Sequence, residues 1–261
     1  MRLFHPILAL LFLSLFAFPR YGGSSEVQLF SGRAVSVQDL WPPNLSWPSE
    51  PTGAKGKSVA VPSPNGKKKL IFPGDWVEND DTVAYTFFAV VGQHQYPIYI
   101  DGYLNPLVIW AKDSSGVLIS FSDAGANCCY ETKLISFNGE HVDAIDPTAQ
   151  VAHDFISYRD KLGIKCRAWP HEYPNLFPIG WLDRSHAFIA AETVHHSNCD
   201  CWGSFRAYEI ELPSGRIVET INQPLAKKMF DGNLPWHLSE ASNDDWDTNP
   251  KSCRPPDNQT P

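Results

Sequence analysis

The chain has 261 residues and a net charge of −8, with 21 Lys and Arg against 29 Asp and Glu. An acidic surface is repelled by phosphate backbones, so nucleic acid is not an expected partner. With 22 Pro and 9 Trp but only 2 Met, the composition predicts β structure and ordered loops rather than long helices.

Residues 1–25 read as a secretory signal. Arg2 supplies an early positive charge, and an apolar run from Ile7 to Phe18 is broken only by Ser14. A permanent membrane span needs roughly 20 apolar residues, so none is expected. Ala17-Phe18-Pro19-Arg20 is not a small-x-small site, which places cleavage within Gly22 to Ser25. A cut after Ser25 removes two arginines and no acid, leaving 19 Lys and Arg against 29 Asp and Glu, or −10. The competing readings are an uncleaved N-terminal anchor or a misassigned start. Six cysteines follow the run: Cys128, Cys129, Cys166, Cys199, Cys201 and Cys253. An even set in an exported chain predicts disulfides, and the expected location is secreted or periplasmic.

Residues 26–57 are rich in Pro, Ser and Gly and form an expected extended arm. Trp41-Pro42-Pro43 and Trp47-Pro48 have no place inside a helix, because proline lacks the amide proton. A β-repeat domain is expected over 58–222. Its first strands are Ser58 to Val61, Leu70 to Phe72, Thr82 to Val91 and Tyr96 to Ile100, with a turn at Ser63-Pro64-Asn65-Gly66. The second set is Leu107 to Trp110, Val117 to Ser122 and Tyr130 to Phe137, the last ending at the hairpin signal Asn138-Gly139. Residues 148–162 have helical spacing, with Val151, Phe155, Tyr158 and Leu162 on one face, and read as an insertion packed at the sheet edge. The third set is Phe177 to Trp181, Phe188 to Val194, Arg206 to Leu212 and Ile217 to Ile221. Alternation places Tyr208, Ile210 and Leu212 on one face of its third strand, with Glu209 and Glu211 on the other. A short helix is expected over Leu225 to Phe230 within a C-terminal tail, 223–261, that is polar, proline-rich and partly disordered.

The chain repeats itself. Trp110 precedes Asn127-Cys128-Cys129-Tyr130, and 71 residues later Trp181 precedes Asn198-Cys199-Asp200-Cys201-Trp202 at the same offset. A fixed period marks modules that stack to bury what one copy cannot. The segment Ser63-Pro64-Asn65-Gly66-Lys67-Lys68-Lys69-Leu70-Ile71-Phe72 resembles the S-P-D-G-K-x-L-x-F turn and strand of exported TolB-type and WD40-like propeller repeats. Trp110 to Leu118 is similar to a second form of that motif, and Trp181 to Phe188 to a third, looser copy. The resemblance covers about ten residues in each of three units and implies propeller-like blades. Asn65 stands where the motif has Asp, the spacing is about 48 and then 70 residues, and closed rings typically have at least four blades. The expected fold is mainly β: antiparallel repeat units resembling propeller blades, with one helical insertion. The alternatives are a degenerate propeller or a β-sandwich using the same local turns.

If the units stack, both cysteine loops lie at one end. Cys128 or Cys129 is then expected to bridge Cys199 or Cys201, with Cys166 and Cys253 taking what remains. The alternative is a zinc site drawing on His195, His196 and the thiolates, although adjacent cysteines are awkward joint ligands and the spacing fits no ribbon or finger. The acidic clusters Asp75, Glu78, Asp80, Asp81 and Asp244, Asp245, Asp247 lack the alternating calcium-loop pattern and read as solvated loops, as does the basic run Lys67 to Lys69. Gly-x-Ser-x-Gly, a Walker loop and Gly-x-Gly-x-x-Gly are absent, and no residue is assigned as catalytic, metal-binding or cofactor-binding. Tyr130, Trp202 and Trp76 gather at the loop end, either as a binding surface or packed over the disulfides. The function expected is an exported, non-catalytic protein that binds an envelope or extracellular protein or a glycan through that end. The alternative is an exported metal- or carboxylate-dependent hydrolase centred on His195, His196 and Asp200.

Overall fold

The computed structural model describes residues 26–29, 33–36, 58–73, 78–79, 82–101, 103–125, 128–166, 173–194, 199–201, 203–230, 232–235, 238–239 and 241. The expected signal, most of the arm, Trp76, His195, His196, Trp202, Cys253 and the second acidic cluster lie outside them.

The chain is mainly β. A short antiparallel hairpin, β1 (Glu26–Gln28) with β2 (Ala34–Ser36), comes first. Three antiparallel sheets follow in chain order. The first holds β3 (Val59–Pro62), β4 (Lys68–Phe72), β6 (Thr82–Val91) and β7 (His94–Asp101), with the two-residue β5 (Glu78–Asn79) paired to β6. The second runs β8 (Tyr103–Trp110), β9 (Gly116–Gly125), β10 (Cys128–Asn138) and β11 (His141–Ile145). Helix α1 (Thr148–Lys161) leads to the third sheet: β12 (Asn175–Asp183), β13 (His186–Glu192), β14 (Phe205–Glu211) and β15 (Arg216–Ile221). Helix α2 (Gln223–Met229) follows. It starts where the Asn222 side chain accepts the Leu225 amide, with Pro224 in its first turn.

The sheets pack face to face because their strands alternate. Phe72, Phe87 and Ile98 of the first sheet meet Val108, Trp110 and Ile119 of the second. The next residues along the second sheet, Leu107, Ile109 and Leu118, face the third sheet's Trp181, Ile189 and Tyr208. Val151 and Phe155 of α1 enter this same layer, with Tyr158 and Leu162 packed against it, so the helix uses the face its spacing predicts. The third sheet is buried on both sides. Phe177, Phe188, Phe205 and Ala207 pack under Met229, Phe230, Leu234 and Leu238, with Leu29 of the N-terminal hairpin segment among them. Tyr99, on the other face of the first sheet, is 67% exposed.

The internal repeat is real in space. Trp110 and Trp181 each end or nearly end the first strand of a sheet, and each faces the sheet before it. The indole N–H of Trp181 donates to the Ile109 carbonyl at 3.0 Å. The turns repeat as well. In the first, Ser63 N–H donates to Lys68 O and Gly66 N–H to Ser63 O; 48 residues on, Ala111 N–H donates to Gly116 O and Ser114 N–H to Ala111 O. Gly66 and Ser114 occupy the same left-handed position, at φ of 68° and 63°. In all three turns an Asx oxygen accepts the amide two residues on: Asn65 from Lys67, Asp113 from Ser115 and Asp183 from Ser185.

The expected disulfide pairing is corrected at Cys199. Its partner is Cys166, 33 residues away in the α1–β12 connection, and not a cysteine of the first loop. The backbone explains the choice. Cys166 and Cys199 already face each other in an isolated antiparallel bridge, and the Asp200 amide donates to Lys165 O at 2.9 Å. Cys129 and Cys201 each take part in a disulfide as well.

Candidate functional site

Up-and-down sheets stacked in register have two ends, and the structure builds a different environment at each. At one end lie the loops between the second and third strands of each sheet, which include both cysteine loops. Cys128 and Cys129 open β10, and Cys199 and Cys201 lead into β14. The aromatic ring of Tyr130 lies 4.9 Å from that of Phe177, and its amide donates to the Asn175 side-chain oxygen at 3.0 Å. The Asn175 amide group in turn donates to Glu192 at 3.3 Å. Arg159 of α1 is buried, its guanidinium 3.7 Å from the Cys199 sulfur and stacked near Phe155. Arg206 sits 3.8 Å above the Tyr158 ring. Tyr173, beside Cys129, is 51% exposed. Of the aromatic residues expected at this end, Tyr130 is half-buried against the third sheet, while Trp76 and Trp202 lie outside the described residues. Asp200 is half-buried next to the bridge. Among the described residues no three His, Cys, Asp or Glu side chains gather as metal ligands.

At the opposite end lie the Asx turns. The first closes onto the second: Asn65 N–H reaches Ser114 Oγ at 3.2 Å, and Lys68 Nζ donates to Ser114 O at 2.7 Å while lying 4.6 Å from the Phe137 ring. Burial lowers the Lys68 ammonium below its usual value, against the pull of Asp113. Lys68 is therefore half-buried between turns, while Lys67 and Lys69 are exposed as a solvated run should be. Between the second and third turns there is instead a cavity of about 540 Å³, with Trp181, Leu182 and Ala111 along its apolar side and Lys112, Asp183, Arg184 and His186 among its polar lining.

Behind that cavity is a chain of charge that sequence spacing did not reveal. His186 Nδ1 is 3.0 Å from both oxygens of Asp183. An ionised carboxylate only accepts, so Nδ1 carries the hydrogen. Burial alone would push the Asp183 carboxyl up; the Ser185 amide and His186 outweigh it and hold it below its usual range. On its other side, His186 Nε2 is 3.9 Å from Oε1 of Glu209, which is 0% exposed. That oxygen has no hydrogen-bond partner among the described residues, while Oε2 accepts from Arg33 beside β2. The hydrogen bond to Glu209 raises the Arg33 guanidinium above its usual value. Alternation along β14 does separate Glu209 from Tyr208 and Ile210, but its face is buried too. The signal that was available is Asp183-x-x-His186 within the repeat's own turn; Glu209 and Arg33 join it only through folding.

A mainly β protein of three stacked antiparallel sheets, cross-linked at one end and cavity-bearing at the other, is the class these features define. No protein-family model, curated protein or solved structure matches the chain. Among the described residues no helix is long and apolar enough to cross a membrane.

Proposed function

We propose that this is an exported, non-catalytic β-repeat protein, its three sheets related to propeller blades, that binds a protein or glycan partner through its cysteine-loop end. The observation that carries the reading is the oxidised state of Cys129, Cys166, Cys199 and Cys201 beside the exposed Tyr173. Disulfides persist in oxidising compartments. Here the Cys166–Cys199 bridge ties the α1–β12 connection to the residues that lead into β14, and a cross-linked chain leaves less ordering entropy for a partner to overcome. The Asx turn recurs at the same place in all three sheets, between the first and second strands, and supports the blade reading by its position. A second reading, a carboxylate-dependent hydrolase, draws its support from His186 set between Asp183 and Glu209 and not from the cysteine loop.

The test has two parts. Protein recovered from an oxidising compartment is alkylated while denatured and chelated, without reductant, and weighed intact; no added alkyl group is expected, and four reactive thiols would point to a thiolate site instead. The same protein is then applied to a glycan array and cross-linked in an envelope extract of its host. A ligand whose capture is weakened by Tyr173→Ala and kept by Arg184→Ala supports the loop end. A ligand indifferent to Tyr173→Ala overturns it.

A further inference from the structure

The cavity between the second and third turns lies at the opposite end from the cysteine loops. We infer that it is a second binding site, one that takes a small saccharide. Its volume, about 540 Å³, lies within the range of roughly 300–1,000 Å³ typical of small-molecule sites. Trp181 and Ala111 are buried beneath the floor, so the apolar surface open to a ligand is the half-buried Leu182 with the aliphatic stems of Lys112 and Arg184, enough for one edge of a sugar ring. The polar lining is mixed in sign: Lys112 and Arg184 donate, and the Asp113 and Asp183 carboxylates accept. A purely anionic ligand would meet two carboxylates, and a purely cationic one would meet Lys112 and Arg184. Neighbouring hydroxyls, each both donor and acceptor, match alternating carboxylates and cations without a net charge to neutralise.

The lining is also preorganised. The Ser185 amide and His186 fix the Asp183 carboxylate in place and keep it ionised, leaving lone pairs for a hydroxyl. The buried Glu209, tied to Arg33, holds a negative charge behind His186, so the ring has an acid on either side and is not free to swing. Trp181 is anchored from below by its bond to Ile109 O. The site does not depend on the loop-end reading, since it shares no residue with it.

Saturation-transfer NMR on the full chain tests this with glucose, N-acetylglucosamine and galacturonate as probes, and with cyclohexanol as a ring of similar size that has one hydroxyl. Transfer to at least one sugar and none to cyclohexanol is expected. Arg184→Ala, an exposed substitution, and Asp183→Asn are each expected to weaken that sugar by about tenfold, the loss of one hydrogen bond to a charged group. Circular dichroism establishes that each variant is folded, and Tyr173→Ala is measured beside them to separate sugar held at the loop end from sugar held in the cavity. Absence of transfer to any sugar, equal transfer to cyclohexanol, or an affinity that Arg184→Ala leaves intact would each overturn the assignment. Dependence on Tyr173 alone would move the sugar to the loop end and leave the cavity without a role.

Discussion

Glu209 is the residue on which the turn end rests. A carboxylate at 0% exposure is tolerable only with a charged partner, and Arg33 is that partner although it lies 176 residues away. Removing Arg33 leaves the charge buried. Loss of one member of a fully buried pair costs about 3–5 kcal/mol, and Arg33 is 40% exposed, so Arg33→Ala is expected to destabilise by about 2 kcal/mol. In a Glu209→Gln background the same change should cost much less, because no charge is left behind. Equal losses in both backgrounds, measured by urea denaturation, would show that Arg33 acts by packing alone. Asp183 carries a prediction in pH. Its carboxyl is lower in the folded chain than in the unfolded one, so the stability it contributes is present above the unfolded value, about 3.9. That contribution is lost as pH falls through the folded value. The side chain is half exposed, so the effect is small. The expected outcome is that wild type melts above Asp183→Asn at neutral pH and that the gap narrows below about pH 4. A gap that stays constant would assign the difference to the turn's hydrogen bonds and not to charge.

The strands of the three sheets were legible because hairpin chemistry punctuates them: the Asx turns, Asn138-Gly139 and Pro213-Ser214-Gly215 stop each run where the backbone reverses. Helix α1 was legible for the same local reason, its apolar face being complete within fourteen residues. What spacing does not carry is which layer lies on the far side of a strand. Alternation in β14 reads as one buried face and one polar face; α2 and the stretch after it cover the second face, and Glu209 becomes a core residue. The cysteine loops were found, but their pairing depended on where residues 163–166 pass. Trp181 shows how tightly two elements meet. A Cβ added at Gly116 would stand 2.4 Å from the Trp181 ring and 3.1 Å from Ile135 O, both held in a packed interface. Gly116→Ala is therefore expected to destabilise by about 1–3 kcal/mol through overpacking. Gly139 has open space around it, so Gly139→Ala tests backbone strain alone at φ 62°. If Gly116→Ala proves neutral while Gly139→Ala does not, the close approach of Trp181 is not a constraint.

At the scale of the molecule, the second and third sheets cannot readily separate. Trp181 spans the layer between them, α1 packs into the same layer, and the hydroxyls of Ser120 and Thr132 both donate to Leu176 O across it. Cys166–Cys199 encloses β12 and β13, the hairpin that supplies residues to both faces of the third sheet. Closing a loop of 33 residues removes unfolded-state entropy worth about 3–4 kcal/mol in the chain-entropy model. Cys199 is buried against Arg159, so replacement by alanine also costs some packing. The double substitution Cys166→Ala, Cys199→Ala is expected to lower stability by about 3–5 kcal/mol. Because the freed unfolded chain exposes more surface, the urea slope should steepen as the midpoint falls. The transition should also stay single, since the third sheet has no face on which to open alone: one is shared with the second sheet, the other with α2. Trp110 and Trp181 lie in different layers, so the fluorescence difference between wild type and Trp110→Phe, and between wild type and Trp181→Phe, makes that visible above the other seven tryptophans. Coincident curves mean that the stack unfolds as one unit. A third-sheet transition that precedes the rest would mean that the bridge, and not the packing, ties the end of the array to its middle.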